Sequence, residues 1–217
     1  EDELNTIWNS AKRFYKKVSQ ESSYIPPEVY NDDTSYKPED YSDVGQAEVM
    51  AKHFQNELRY SPATHFIRYR GHYWQESEPG AQAVAHELTR RQLNEAEKQL
   101  INAHMKLKQK GIMDVIAGLS SKKIEATLDE DQMDLFKEYR EAITYKDYAI
   151  HRRESKCITA TLKEIRPMIE IDTKALNSDA FLLNTPLATY DLRKGIHGAR
   201  AHDPEELAFY SNGTTDI

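Results

Sequence analysis

The chain is poor in cysteine, glycine and long apolar runs, and each shortage excludes a class of protein. Cys157 is the single cysteine among 217 residues, so no internal disulfide can form. This suits a reducing compartment, and we expect a cytoplasmic location. The eight glycines are dispersed, and none begins a G-x-x-x-x-G-K-[ST] phosphate-binding loop, so we predict no nucleotide hydrolysis by this chain. No apolar run approaches the roughly 20 residues that cross a bilayer, so no membrane partner is expected.

Patterns that would support catalysis or metal binding are also scarce. His86-Glu87 begins the H-E-x-x-H pattern of zinc proteases, but Arg90 occupies the second histidine position. The other histidines have no cysteine partners and no tight ligand spacing, and the acids at 129–131 fit dipole compensation at a helix start. We therefore predict no catalytic residue, no metal ligand and no cofactor in this chain, and we interpret Cys157 as a small core residue.

Positive charge is limited and local. The net charge is −7, which argues against a protein that wraps DNA over its whole surface. Residues 151–200 nevertheless carry nine Lys or Arg against six acids. Any contact with nucleic acid is therefore expected to be confined to a small part of the surface.

Hydrophobic periodicity predicts a mainly α fold: a helical domain with two small β-hairpins, preceded by an N-terminal helix and an extended linker. The N-terminal helix is predicted from about Asp2 to Val18, where apolar residues recur at helical spacing. Residues 20–42 are rich in Ser, Asp, Pro and Tyr and lack periodicity, so we interpret them as the linker. We expect the main domain to span 43–207, with 208–217 as a tail.

Two helices are predicted in the first half of this domain. Asp43 caps the first, which runs through Phe54. Pro79 opens the second, which is the longest, and Gly111 ends it.

Further helices are predicted in the second half. A short one covers Ile112–Leu119. Thr127 or Asp129 begins a longer one, and its pattern leaves open whether the helix continues past Arg153 as far as Ile165.

Residues 58–75 alternate in polarity and predict the first β-hairpin, with its turn at Arg70-Gly71. Aromatic residues and arginines interleave here, a composition that can stack bases and neutralise phosphates. The alternation also puts Phe66 and Ile67 on opposite faces, so an ordinary hairpin could bury one face and expose the other. Both interpretations stay open at this point.

The segment 181–207 carries the most specific motif of the chain. Two short apolar strands flank a turn at 184–186 and predict the second β-hairpin at about 181–193, because proline keeps its preceding residue out of the helical region. Asp203 followed by Pro204 and two acids is typical of a helix start, with a cap, a proline at the first position and acids at the positive end of the dipole.

The motif Leu-Leu-Asn … Asp-Leu-Arg-x-Gly … His-Asp-Pro-Glu in this segment resembles the sequence just ahead of the ATPase core in phage and plasmid primase-helicases of the poxvirus type, which belong to helicase superfamily 3. The likeness is to the Gram-positive phage type, and it runs from about residue 3 to Leu207. Other segments look like the linker helix and the opening of the helicase-associated N-terminal domain in such proteins: 3–11, 24–28, 43–47, 58–62 and 73–77.

The resemblance implies a collar module that connects an upstream primase to a downstream ATPase and aids assembly on single-stranded DNA. The parent protein would be an ATP-dependent DNA helicase and primase, and ATP and Mg²⁺ are expected only for its ATPase domain, which lies outside this chain. Neighbouring subunits of a ring are expected partners. An alternative stays open: a stand-alone regulatory DNA- or protein-binding factor from a truncated prophage gene.

We expect any contact between this chain and single-stranded DNA to be weak. The first hairpin offers one candidate surface, and the second is a basic cluster at 152–156 that lies near 193–194 if the C-terminal hairpin folds back. An ordinary solvated helix face is the alternative interpretation of the basic cluster. The candidate residues share a positive charge or an aromatic ring: Arg68, Arg70, Tyr73, Arg152, Arg153, Lys156, Arg193 and Lys194.

Overall fold

The computed structural model describes residues 35–209. The helix predicted over Asp2–Val18, the linker up to residue 34 and the tail from 210 lie outside the described residues. Within the described part, no helix is both long and apolar enough to span a bilayer.

The described chain is mainly helical with two small antiparallel sheets, which confirms the predicted fold class. The helices are α1 Asp43–Phe54, α2 Glu78–Gln109, α3 Ile112–Ile116, α4 Ser121–Thr127, α5 Glu130–His151 and α6 Ser155–Ile165. The strands are β1 Leu58–Ser61, β2 His65–Tyr69, β3 Trp74–Glu76, β4 Leu182–Asn184, β5 Thr189–Asp191 and β6 Ala199–Arg200. Short 3₁₀ helices cover Arg166–Met168, Thr173–Ala175, Leu192–His197 and Pro204–Glu206.

The described residues divide into two compact units. A helical unit contains residues 35–49 and 85–164, and a mixed unit contains residues 50–84 and 165–209, with both sheets. The single domain expected over 43–207 stays a prediction.

Helix α1 has its N-terminal cap one residue earlier than predicted. Ser42 Oγ accepts a hydrogen bond from the Gly45 amide at 3.0 Å, so Ser42, and not Asp43, caps α1. The Asp43 carboxylate instead forms an ion pair with Arg152. Arg152 Nη1 lies 2.5 Å from Asp43 Oδ1. Gly45 has no room for a side chain, because a Cβ there would overlap the carbonyl oxygen of Asp40.

Two alanines and two tyrosines form a buried cluster between α2 and α5. Ala96 on α2 and Ala149 on α5 are fully buried beside Tyr145 and Tyr148. Tyr41, in the segment before α1, stacks on Tyr148 with ring centroids 4.3 Å apart. Aromatic rings thus form most of this cluster between the two helices.

A second hydrophobic cluster closes the other end of the helical unit. It contains buried Leu107, Ile112, Ile124 and Leu128. Ile124 lies on α4, a helix that the sequence analysis did not predict. Of the two starts considered for α5, Asp129 is confirmed, because its side chain accepts from the Gln132 amide at 2.8 Å and the Gln132 side chain accepts from the Asp129 amide in return.

The long helix does not continue to Ile165. It ends at His151, and α6 begins at Ser155 after a short turn. Arg152 lies in this turn and is 5% exposed, because its side chain bonds Asp43 and the carbonyl oxygen of Ser42. Neither glycine nor proline marks this break, so the hydrophobic pattern could not reveal it.

Each predicted hairpin is part of a three-stranded sheet. The turn at Arg70-Gly71 is confirmed, with Gly71 at φ +90°, and it joins β2 to β3. Phe66 and Ile67 are both fully buried, so the interpretation that leaves one face buried and the other exposed does not hold at these central positions of β2. Residues 169–171 pair with β1 through backbone hydrogen bonds, and residues 208–209 pair with β3 in the same way. These segments cover both outer edges of the sheet.

A buried polar pair connects α1 with α2. Gln46 and Gln92 are 1% and 0% exposed, and each amide nitrogen donates to the oxygen of the other at 2.8 Å. Gln92 also donates to the carbonyl oxygen of Tyr36 at 2.9 Å, and the Tyr148 hydroxyl donates to Gln46 at 2.8 Å. Removal of one amide would leave the others buried without partners.

We therefore predict that Gln92→Leu lowers the free energy of unfolding by ~2 kcal/mol, since Gln46 and the Tyr36 carbonyl lose their partners. Urea denaturation followed by circular dichroism measures this change. Asn94→Leu, at an exposed position on the same helix, is the control and should change stability by less than ~0.5 kcal/mol. Equal effects of the two variants would contradict the prediction.

Candidate functional site

The residues of the C-terminal motif come together around the second sheet. In its register Asn184 lies opposite Thr189, and Thr189 lies opposite Arg200, so one row of residues crosses all three strands. His202 follows two residues after Arg200 and returns to this row. The motif therefore forms one site in the mixed unit, although its parts are separated along the chain.

Asn184, Thr189 and His202 form a polar cluster. The Thr189 hydroxyl donates to Asn184 Oδ1 at 3.0 Å, and His202 Nδ1 lies 3.0 Å from the same oxygen. Because an amide oxygen only accepts, the histidine tautomer that carries its proton on Nδ1 fits this contact. Asn184 Nδ2 donates in turn to the carbonyl oxygen of His72, at the β2–β3 turn of the first sheet. The cluster thus ties the two sheets of the mixed unit together.

His202 is held in its neutral form. Partial burial, and then the charge of nearby His72, lower the pKa of His202 to about 4, and a contact with the backbone of Pro186 acts in the opposite direction. Its Nε2 atom is buried and has no hydrogen bond of ordinary geometry within residues 35–209. A general acid or base works best with a pKa near the working pH. The geometry therefore favours a structural hydrogen-bonding role for His202.

The Asp191-Leu-Arg-x-Gly part of the motif builds a tight turn. Asp191 is 6% exposed, and its carboxylate accepts from the backbone amide of Arg193 at 3.1 Å and from its Nε at 2.7 Å. These bonds lower the pKa of Asp191. Gly195 has φ +55° and ψ −134°, a backbone conformation that favours glycine. A Cβ at Gly198 would overlap the carbonyl oxygen of Asp191, so the motif residues are those that this turn requires.

The His-Asp-Pro-Glu part of the motif anchors the last described segment. Asp203 accepts from the Glu205 amide at 2.9 Å as a cap, but the helix that it starts is a single 3₁₀ turn. Trp74 of β3 is 1% exposed and donates from its indole Nε1 to the carbonyl oxygen of Pro204 at 2.8 Å. Its backbone amide also donates to Ala208 at 2.7 Å. The motif therefore presents a carbonyl group to a buried indole.

Two further residues of this site were not found from the sequence. Asn177 has φ +53°, and its Oδ1 accepts from the Phe209 amide at 2.9 Å. The carbonyl oxygen of His72 accepts from Asn184. An asparagine next to Ser178-Asp179 is a usable turn signal, whereas no sequence pattern identifies a backbone acceptor.

Arg193 and Lys194 are exposed but lie among acids. Arg193 bonds Asp191 and also Asp179, with Nη2 and Oδ2 2.8 Å apart. Lys194 Nζ lies 3.7 Å from Asp191 Oδ2. This pairing reduces the positive field that a phosphate would meet at the turn.

The same unit holds the three candidates from the first hairpin. Arg70 is exposed and its Nε donates to Gln75 at 3.2 Å. Arg68 is half-buried, and its Cδ lies close to Gly80. Tyr73 is half-buried with its ring edge-on to His72, at a centroid distance of 4.5 Å. Arg70 is thus the most accessible cation of this hairpin group.

The candidates Arg152, Arg153 and Lys156 lie in the helical unit. Arg152 is buried and paired as described above, so its guanidinium is not available to a phosphate at the surface. Arg153 is exposed, and Lys156 is exposed with Glu154 at 3.0 Å. Their expected proximity to Arg193 and Lys194, which lie in the mixed unit, stays a prediction.

A cavity of about 280 Å³ lies beside the polar cluster. Its walls include Asn184 and Thr189 together with two acids, Asp179 and Glu206, and the ring of Phe209. Burial raises the pKa of Glu206, against the opposing effect of Arg200, with which it forms an ion pair. Carboxyl groups on two sides make this cavity unsuited to a phosphate group.

The comparison with known sequence families finds a match, and it includes the motif. Residues 47–211 match the sequence family described as "D5 N terminal like". No curated protein and no solved structure matches the chain. The matched range covers most of the chain and includes every residue of the polar cluster. The chain therefore belongs to the D5 N-terminal-like family, the N-terminal domain of phage and plasmid primase-helicase proteins, as the sequence resemblance indicated.

The low pKa of His202 predicts a dependence of stability on pH. Between the ordinary pKa of 6.5 and the folded-state value of about 4, the unfolded chain binds a proton that the folded chain does not. The contribution of neutral His202 is therefore complete above the ordinary pKa and is lost as the pH falls through this window. Urea midpoints measured across the window should fall more for the native chain than for His202→Asn, which keeps a side-chain donor but does not titrate. His86→Asn, at an exposed position, is the control, and a native-like pH profile for His202→Asn would contradict the assignment.

Proposed function

We propose that this domain is the collar module of a primase-helicase, joining the priming part of the protein to its ATPase and aiding assembly on single-stranded DNA. The family match over 47–211 is the observation that carries this proposal. The role within the parent protein and the contact with DNA are the steps beyond that match.

The anchoring of the last described segment supports a connecting role. Trp74 and Asn177 together fix residues 204–209 to the mixed unit by three hydrogen bonds of 2.7–2.9 Å. A connector transmits force or orientation only if the chain that leaves it is held firmly. In this proposal ATP and Mg²⁺ act in the ATPase domain. The domain described here positions the ATPase relative to the priming part of the protein.

The surface charges support only a limited contact with DNA. Arg70, Arg153, Lys156, Arg193 and Lys194 are exposed, but acids pair with the last three. Arg152 is left out of the proposed DNA-contacting residues because it is buried. The contact should therefore be weak and sensitive to salt, with Tyr73 as the proposed aromatic contact for a base.

We predict that Arg70→Glu with Arg153→Glu weakens binding of a single-stranded oligonucleotide more than Arg90→Glu with Arg140→Glu does. All four arginines are exposed, and both double variants change the net charge equally. Loss of two phosphate contacts should reduce the slope of log K against log salt by about 1.4. Fluorescence anisotropy over a salt series measures both quantities. Equal losses in the two double variants, or no binding by the native chain at low salt, would contradict the proposed contacts of Arg70 and Arg153 with DNA.

The connecting role makes a prediction about assembly. In ring helicases of superfamily 3 the nucleotide lies between neighbouring ATPase domains, so we expect most of the subunit contact to lie there. Residues 1–217 alone should be a monomer or weak oligomer at micromolar concentration, whereas a chain extended through the ATPase should form hexamers. Light scattering of both proteins, with and without single-stranded DNA, decides this. A stable hexamer from residues 1–217 would show that the main assembly contacts lie in this domain.

A further inference from the structure

The break between α5 and α6 brings together two side chains that can bind a metal ion. His151 is the last residue of α5, and Cys157 lies in the first turn of α6. His151 Nε2 lies 3.7 Å from Cys157 Sγ. No cysteine partner was expected for any histidine, because the sequence shows no tight ligand spacing. A continuous helix would put residues six positions apart on different faces, whereas the break brings these two side chains together.

The separation of these two atoms suits a tetrahedral ion. Zinc binds imidazole nitrogen at about 2.0–2.1 Å and thiolate sulfur at about 2.3 Å, which at a tetrahedral angle sets the two ligand atoms about 3.6 Å apart. The observed distance of 3.7 Å needs almost no adjustment. A thiolate and an imidazole together favour Zn²⁺ or a similar transition metal over Mg²⁺ or Ca²⁺, which prefer oxygen ligands.

Glu154 orients the imidazole from its other side. Its Oε1 lies 2.9 Å from His151 Nδ1, so it can accept the Nδ1 proton and leave Nε2 free for a metal. A carboxylate that accepts from the second nitrogen of a histidine ligand is a common arrangement in metal sites.

We propose that His151 Nε2 and Cys157 Sγ bind one Zn²⁺-class ion, with Glu154 as the positioning residue and water at the remaining coordination positions. On binding, the thiol proton of Cys157 passes to solvent as the sulfur–metal bond forms. The three residues form a group whose potential ligand atoms all lie within 4.8 Å of one another.

Access to the site is one-sided. The side chain of His151 is 53% exposed and that of Glu154 is 50% exposed, whereas Cys157 is 6% exposed. An ion can therefore approach from solvent on the side of the exposed imidazole. It would then reach the sulfur of Cys157, which is the more buried ligand. Once bound, it joins the end of α5 to the first turn of α6 and stabilises the break between them.

Titration of the intact chain with Co²⁺ tests the site directly. Because Cys157 is the single cysteine, a thiolate-to-cobalt charge-transfer band can report on no other residue of the chain. We expect this band to saturate at one equivalent and to disappear when Zn²⁺ is added in competition. Zn²⁺ should also raise the melting temperature of the native chain.

Matched variants separate the roles of the three residues. Cys157→Ala and His151→Gln should abolish the band, and Glu154→Ala should lower the affinity about tenfold, with partial recovery in Glu154→Gln. His86→Gln, at an exposed position elsewhere in the helical unit, is the control and should bind normally. Circular dichroism and a denaturation curve establish that each variant is folded. A band that persists in His151→Gln, or the absence of any band in the folded native chain at millimolar Co²⁺, would overturn the proposal.

Discussion

The mixed unit depends on the burial of Trp74. Its indole is 1% exposed and would lose the hydration of its N–H on burial, but the carbonyl oxygen of Pro204 accepts that hydrogen at 2.8 Å. The two residues are 130 positions apart in the chain, so this contact closes a very long loop. The hydrophobic gain from a large aromatic ring, with Tyr69 5.4 Å away, helps to offset the entropy of that closure.

This constraint explains why the C-terminal motif has its particular residues. Asp203 and Pro204 fix a single helical turn, and that turn presents one carbonyl group to the indole. Asn184 bonds the turn of the first sheet, and Asp191 closes its own turn through Arg193. The residues that identify the family in this chain thus stabilise the fold of the mixed unit.

Local signals in the sequence predicted local structure well. The Asp129 cap, the turn at Gly71 and the strands around residues 184–186 all depend on residues within a few positions of one another. The helix start at Asp203 was also placed correctly, although it yields only one turn. These features need no knowledge of distant contacts, which is why the pattern of residue types was sufficient.

Features set by distant partners could not be predicted in this way. Arg152 has the sequence context of a solvated helix residue, but its partner Asp43 lies 109 positions away and holds it in the interior. The break after His151, which brings His151 and Cys157 into contact, also has no helix-breaking residue to mark it in the sequence. The alternation at Phe66 and Ile67 left open a hairpin with one exposed face, but Phe66 is buried under the ring of Tyr60 and the guanidinium of Arg166.

The most direct test of this account is hydrogen exchange of backbone amides in the native chain and in Trp74→Phe, which keeps an aromatic ring but removes the indole donor. The account predicts that amides of the mixed unit with backbone or side-chain acceptors, such as those of Asp191 and Phe209, are protected in the native chain. In the variant they should exchange faster while amides of α2 and α5 are unchanged. Rapid exchange of residues 204–209 in the native chain, or identical exchange in both proteins, would contradict the claim that Trp74 and the motif hold this unit together.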